Sequence, residues 1–167
     1  MRVLGIDPGL ATTGYGVVEN NNQNFQGLDY GIISTPSAQT LEQRIFSIYN
    51  NVIILVNRFS PEMVAVEKLF FCKNISTAVQ VGEARGAIFT AAAEKQLPIF
   101  EYTPLQVKQA VVGYGRAEKR QVQHMVAIIL KLPQIPSPDD AADALAVALC
   151  HLQSYKWQQL TGEKVDH

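Results

Sequence analysis

The sequence predicts an α/β domain, a five-stranded mixed sheet flanked by helices. Three observations predict it. An apolar run at residues 3–7 stops at the turn signal "DPG" and is followed, at short spacing, by two more strand-like runs. Past Thr40 the apolar period lengthens to the helical value. Two further apolar runs, residues 62–67 and 97–102, then alternate with helical stretches, as parallel strands joined by crossovers do.

Taken in order, residues 3–7 form the first strand, "GYGVVE" the second, and a third lies within residues 28–34, with the polar "NNNQN" as a loop. Short connections make these an antiparallel meander. Leu41, Ile45, Ile48, Val52, Leu55 and Phe59 recur at helical spacing behind Thr40, a helix cap. "EMVAVE" is a strand buried on both faces, and a helix of small residues covers 76–95. "LPIFEY" is the fifth strand. Helices at 104–112, 117–132 and 138–155 close the chain. A right-handed crossover from the meander lays the fourth strand parallel to the first and beside it. That order is the ribonuclease H-like topology.

The 167 residues suit one domain, placed at 1–155, with residues 156–167 as a polar tail. A net charge of -1 argues against indiscriminate coating of a polyanion but permits a local basic face. Cys72 and Cys150 show no metal spacing and point to reduced thiols. No apolar run approaches the roughly 20 residues of a membrane span. A cytoplasmic protein without membrane attachment is expected.

The chemistry lies in the carboxylates. Asp7 ends the first strand and Glu67 the fourth, so parallel neighbours bring both to one edge of the sheet. Taken singly, an Asx turn and a strand-end charge explain them. In "SPDDAADALAVALC", Ser137, Pro138 and Asp140 fit a cap, a first-turn proline and a capping-box acid, and the helix dipole favours Asp139. Asp143 is left over. It shares a stripe with Asp140, Val147 and Cys150, turned toward protein, and no lysine or arginine lies within a turn on that helix. Inward carboxylates need a cation. Four oxygen donors without a histidine or cysteine cluster suit Mg²⁺ or Mn²⁺, and a pair of such ions serves phosphodiester hydrolysis.

Together, "GIDPG", "VAVEKLFF", "GEARGA", "QVKQAVVGYGRAEKRQVQHMV" and "DDAADALA" resemble the RuvC family of bacterial Holliday-junction resolvases, from Met1 to about His151. The resemblance implies a ribonuclease H-like fold, a homodimer, and Mg²⁺-dependent symmetric nicking of four-way DNA junctions. It places the family's four acids on Asp7, Glu67, Asp140 and Asp143, with Asp139 as an extra acid. The stripe and the "DAADALA" match favour Asp140 over Asp139. It also implies the branch-migration proteins RuvA and RuvB as partners. Glu83 in "GEARG" is a further acid, either near the site or facing solvent.

Arg116, Lys119, Arg120 and Gln123 share one helical face, opposite Val122, Met125, Ile129 and Leu132. Such a stripe is usually a solvated surface. Beside an acidic metal site it reads as a phosphate clamp, and the resemblance selects Lys108 and Lys119 as phosphate contacts. It also selects Phe70, of the pair with Phe71, as an aromatic that stacks on bases. "GYG" at 113–115 allows close backbone approach to DNA. His124 suits a local hydrogen bond. Gly82 and Gly86, four apart, fit either close helix pairing between subunits or internal packing.

Two other functions compete. "GIDPGLATTG" resembles a phosphate loop of actin- or hexokinase-like ATPases, although those need two such domains. A non-catalytic junction binder would have no use for four acids facing phosphates.

Overall fold

The computed structural model of the chain describes residues 1–22, 24–68 and 75–161. One five-stranded sheet runs in the order β3-β2-β1-β4-β5, built from β1 (Arg2–Asp7), β2 (Thr12–Asn21), β3 (Asn24–Ser34), β4 (Met63–Glu67) and β5 (Ile99–Tyr102). β1, β2 and β3 are antiparallel, whereas β4 lies parallel to β1, and β5 parallel to β4. The expected mixed sheet and its crossover are therefore present. The meander is longer than expected. Asn21 pairs with Asn24, and Asn22 takes a φ of 50°, a left-handed conformation that asparagine tolerates. What reads as a polar loop is mostly strand.

Helices α1 (Leu41–Phe59) and α2 (Ile75–Glu94) cover one face of the sheet. The other face carries α3 (Pro104–Val112), α4 (Lys119–Ile129) and α5 (Asp139–Thr161). Thr40 begins α1 as expected, its amide donating to Gln43 Oε1 at 3.1 Å. Thr103 begins α3 by a reciprocal pair: Gln106 N donates to Thr103 Oγ1, and Thr103 N donates to Gln106 Oε1. α5 extends past the expected 155, since "KWQQLT" contains no breaker before Gly162.

Two side-chain alternations decide where the site falls. Along β1, Val3 packs on the α5 side while Leu4 and Ile6 pack under α1 and α2; along β4, Ala65 takes the α5 side and Val64 and Val66 the other. With a period of two, Asp7 and Glu67 both belong to the α5 face. Residues 141–152 of α5 are buried almost all round, with Leu145, Leu149 and Leu152 on one stripe and Val147 and Cys150 on another. Each buried leucine contributes about 1.5–3 kcal/mol. The helix can lie this close because the strands beneath it carry glycine. A Cβ at Gly5 would stand 2.2 Å from the Ala144 carbonyl, and one at Gly14 2.0 Å from the Asp140 carbonyl. Any side chain at Gly14 would push the start of α5 away from the end of β1.

Candidate active site

Asp7 and Glu67 leave adjacent parallel strands one residue past the Ile6–Val66 pair, and their carboxyl groups hydrogen-bond each other. Burial is the main force on Asp7, followed by the charges of Glu67, Asp143 and Asp140; together they push its pKa up to about 8. Burial likewise raises Glu67, opposed by its bond to Asp7 and by the ammonium groups of Lys119 and Lys108. The two acids thus hold a shared proton at neutral pH when no cation is near.

α5 delivers the other acids. The amides of Ala141 and Ala142 donate to the Pro138 carbonyl at 3.0 and 3.4 Å, so the helix is entered at Asp139 rather than by way of a Ser137 cap. This corrects the capping-box reading of Ser137 and Asp140. Asp143 does have a cationic partner, supplied by the neighbouring helix: Lys119 Nζ lies 3.0 Å from Asp143 Oδ2 and 3.3 Å from Asp139 Oδ2. Counting lysines on α5 alone could not reveal it. Burial raises Asp143 despite this lysine. Burial would lower the Lys119 ammonium, but its bonds to Asp143 and Asp139 outweigh that and hold it above its ordinary value. Asp139 is held low by Gln123 first and Lys119 second.

Lys108, Lys119, Glu67 and Asp143 line one cleft of about 200 Å³, floored by Val107, Val122 and Ala146. Asp7 and Asp140 stand beside it, close enough for Asp140 to act on both Asp7 and Asp143. A larger open cleft of about 690 Å³ between β5, α3 and α5 is lined by Tyr102, Cys150, Ser154 and three glutamines, with no charged group among the described residues.

Other sequence expectations divide. Arg116 and Arg120 are exposed, and neither lines the acidic cleft. Gln123 departs from the expected outer face. It is only 8% exposed and donates from Nε2 to Asp139 Oδ1 at 2.8 Å. His124 is exposed, with Nδ1 3.0 Å from the Arg120 carbonyl, the local bond expected of it. Gly113 caps α3 at a φ of 80°. Glu83 lies in the groove between α1 and α2, with Glu42, Phe46 and Tyr49, on the face away from the acids. Phe70, with Phe71 and Cys72, lies outside the described residues.

Arg85 was missed by sequence reasoning. Its Nη1 donates to the Glu67 carbonyl at 2.8 Å, its Nη2 pairs with Glu101, and its guanidinium sits 5.0 Å from the Phe89 ring centroid. The signal was available, since Arg85 is the one arginine in the small-residue stretch 76–94.

Among the described residues, no three His, Cys, Asp or Glu side chains converge on a common point. The reason is visible: Asp7 bonds Glu67, and Asp143 bonds Lys119. The donor set nonetheless suits a hard divalent cation. It is all carboxylate oxygen, and burial and mutual repulsion raise three of its members, a strain that a cation would relieve.

Comparison with known proteins gives a consistent pattern. The family model "Crossover junction endodeoxyribonuclease RuvC" matches residues 3–151. A protein of that name from Ruminiclostridium cellulolyticum is 54% identical over 97% of this chain and 98% of its own length. Another, from Halothermothrix orenii, is 50% identical over 98% and 99%. Among solved structures, T. thermophilus RuvC in complex with Holliday junction substrate superposes with a TM-score of 0.91 at 40% identity, covering 94% of this chain and 96% of that one. The yeast mitochondrial resolvase Ydc2, at 13% identity and a TM-score of 0.64, shares the fold.

Proposed function

The chain belongs to the RuvC family of crossover junction endodeoxyribonucleases, and from that premise we propose that it resolves four-way DNA junctions by divalent-metal-dependent hydrolysis of phosphodiesters. The observation that carries the reading is the gathering of Asp7, Glu67, Asp140 and Asp143 beside Lys108 and Lys119. Asp7, Glu67, Asp140 and Asp143 would hold Mg²⁺, or Mn²⁺ in its place, with room in the donor set for two ions. Such ions lower the pKa of water and neutralise charge on a phosphate. Asp140 is favoured over Asp139 because its charge acts on Asp7, whereas Asp139 is engaged by Gln123 and Lys119.

The chain's own groups do the rest. Lys108 and Lys119 supply positive charge at the cleft wall, where phosphate oxygens would enter against a field of carboxylates. Arg116 and Arg120, exposed on the α4 side, extend that charge along the DNA path. Phe70 follows Glu67 closely in sequence and is assigned to stacking on bases at the crossover.

Cutting two opposed strands symmetrically requires two sites related by a twofold axis, hence a homodimer. α2 supports this. A Cβ at Gly82 or Gly86 would meet nothing within 4 Å, so packing within the protomer does not need these glycines. Beside them Phe46 and Val79 are 62% and 55% exposed, a surface suited to a second copy. Family membership also supports action beside RuvA and RuvB.

The test is a nicking assay on synthetic four-way junctions with Mg²⁺ or with chelator, run beside an ATPase assay. Paired, symmetric nicks that need metal and all four acids support the proposal. Binding without nicking would leave a pure junction binder, and ATP turnover without nicking would favour the ATPase reading.

A further inference from the structure

We propose that Asp139 is a positioning residue which, braced by Gln123, offers Lys119 a second seat and so governs how readily Asp143 is released to a divalent cation. The inference rests on the reading of Asp143 as a metal-holding carboxylate. α4 and α5 face each other through a four-membered ladder. Lys119 and Gln123 lie four apart on α4, and Asp139 and Asp143 four apart on α5, so each pair shares one helix face. Lys119 Nζ bridges Asp143 Oδ2 and Asp139 Oδ2 at 3.0 and 3.3 Å, and Gln123 Nε2 fixes Asp139 Oδ1 at 2.8 Å.

The two seats differ. Asp143 is 27% exposed and lies among the other acids, while Asp139 is 66% exposed at the rim. An ammonium on Asp143 competes with a cation there, because it occupies the same carboxylate and repels a second positive charge. When a cation takes Asp143, Lys119 has to leave. Asp139 is already within bonding distance, so the lysine shifts its weight to the rim without returning to water. There it remains beside the cleft, ready for a phosphate. Buried Gln123 makes this seat firm, since its amide holds Asp139 in the orientation that faces Lys119.

Asp139→Asn removes the rim seat. The amide still accepts from Gln123 but no longer holds the ammonium, so Lys119 stays on Asp143 and the cation must compete with it. The experiment is a Mn²⁺ titration of the full chain without DNA, reading free Mn²⁺ by electron paramagnetic resonance. Asp139→Asn is expected to weaken Mn²⁺ binding about 3- to 10-fold, and to change it less than about twofold when Lys119→Met is already present. An equal weakening in both backgrounds would mean that Asp139 acts only by its own charge, and no weakening in either would mean that it has no part; both outcomes overturn the proposal alone. If Asp143→Asn leaves Mn²⁺ binding unchanged, the underlying reading of Asp143 falls and the proposal falls with it.

Discussion

The guanidinium of Arg85 on α2 holds the main-chain carbonyl of Glu67 at 2.8 Å, at the point where β4 ends. Its second contact, to Glu101 on β5, ties the same arginine to the neighbouring strand. From the other side, the Lys68 amide donates to the Tyr102 carbonyl at 2.8 Å. The strand end that carries Glu67 is therefore held through its main chain, independently of the hydrogen bond that its carboxyl group makes with Asp7.

Arg85→Ala should lower the cutting rate roughly 10- to 100-fold, the effect of a misplaced reacting group, while junction binding stays intact. It should also cost about 1–3 kcal/mol of stability, because Glu101 and the Glu67 carbonyl lose a partly buried donor. A matching loss of stability with an unchanged cutting rate would show that the arginine only braces the fold.

The pKa of Asp7, raised to about 8 from 3.8, makes the metal-free protein sensitive to pH. Between these values the folded chain holds a proton that the unfolded chain has lost, so the stabilisation contributed by this proton is full below 3.8, falls as pH rises, and is lost above about 8. The slope is at most about 1.4 kcal/mol per pH unit for one proton. Raised Glu67 acts in the same direction. Melting curves in chelator should show the decline from mildly acid to mildly alkaline pH, and Asp7→Asn should flatten it. A wild-type curve that rises over this range would refute the assignment.

Asp140→Asn and Asp143→Asn should each abolish metal-dependent cutting while leaving junction binding intact or slightly stronger, since an amide keeps the shape but loses the charge. Their effects on stability should differ from that of Asp7→Asn. Asp7 has repulsive acids around it, so neutralising it should raise the metal-free melting temperature. Asp143 already has Lys119, so the same change there sacrifices an ion pair worth up to about 1 kcal/mol and gains less. Retained cutting in Asp140→Asn together with lost cutting in Asp139→Asn would move the ligand set to the 139/143 pair.

Lys119→Ala and Lys108→Ala should each weaken junction binding and reduce the slope of log K against log salt by about 1, the signature of one lost phosphate contact. The Lys119 effect should emerge fully only with metal present, because without it that ammonium is engaged by Asp143 and Asp139. Unchanged slopes at both positions would place these lysines outside the DNA path.

Most of the fold was legible because it rests on local signals: the period change at Thr40, the "DPG" stop after β1, the apolar runs of β4 and β5. The pairing of Asp7 with Glu67 followed from strand order alone. What the sequence did not disclose were contacts between elements distant along the chain. Lys119 meets Asp143 and Gln123 turns inward to Asp139 where two helices pack, and Arg85 reaches from a helix to Glu67 at a strand end. Helical periodicity places a residue on a face but does not say which neighbour that face meets. The β2–β3 hairpin was obscured differently, by asparagines that read as loop while serving as strand ends and turn.

Gly86 gives the sharpest test of subunit pairing. It lies mid-helix in α2, where glycine costs about 1 kcal/mol relative to better helix formers, and the space around its missing side chain is open. Within one protomer Gly86→Leu should therefore fold at least as well as wild type. If α2 packs against its counterpart in a second copy, leucine there forces the helices apart. Sedimentation should then show a monomer where the wild type is a dimer, and a junction should be nicked on one strand without paired resolution. The sites themselves remain intact, so single-strand nicking should persist. A dimer of undiminished stability in Gly86→Leu, with symmetric cutting retained, would place the interface elsewhere on the surface.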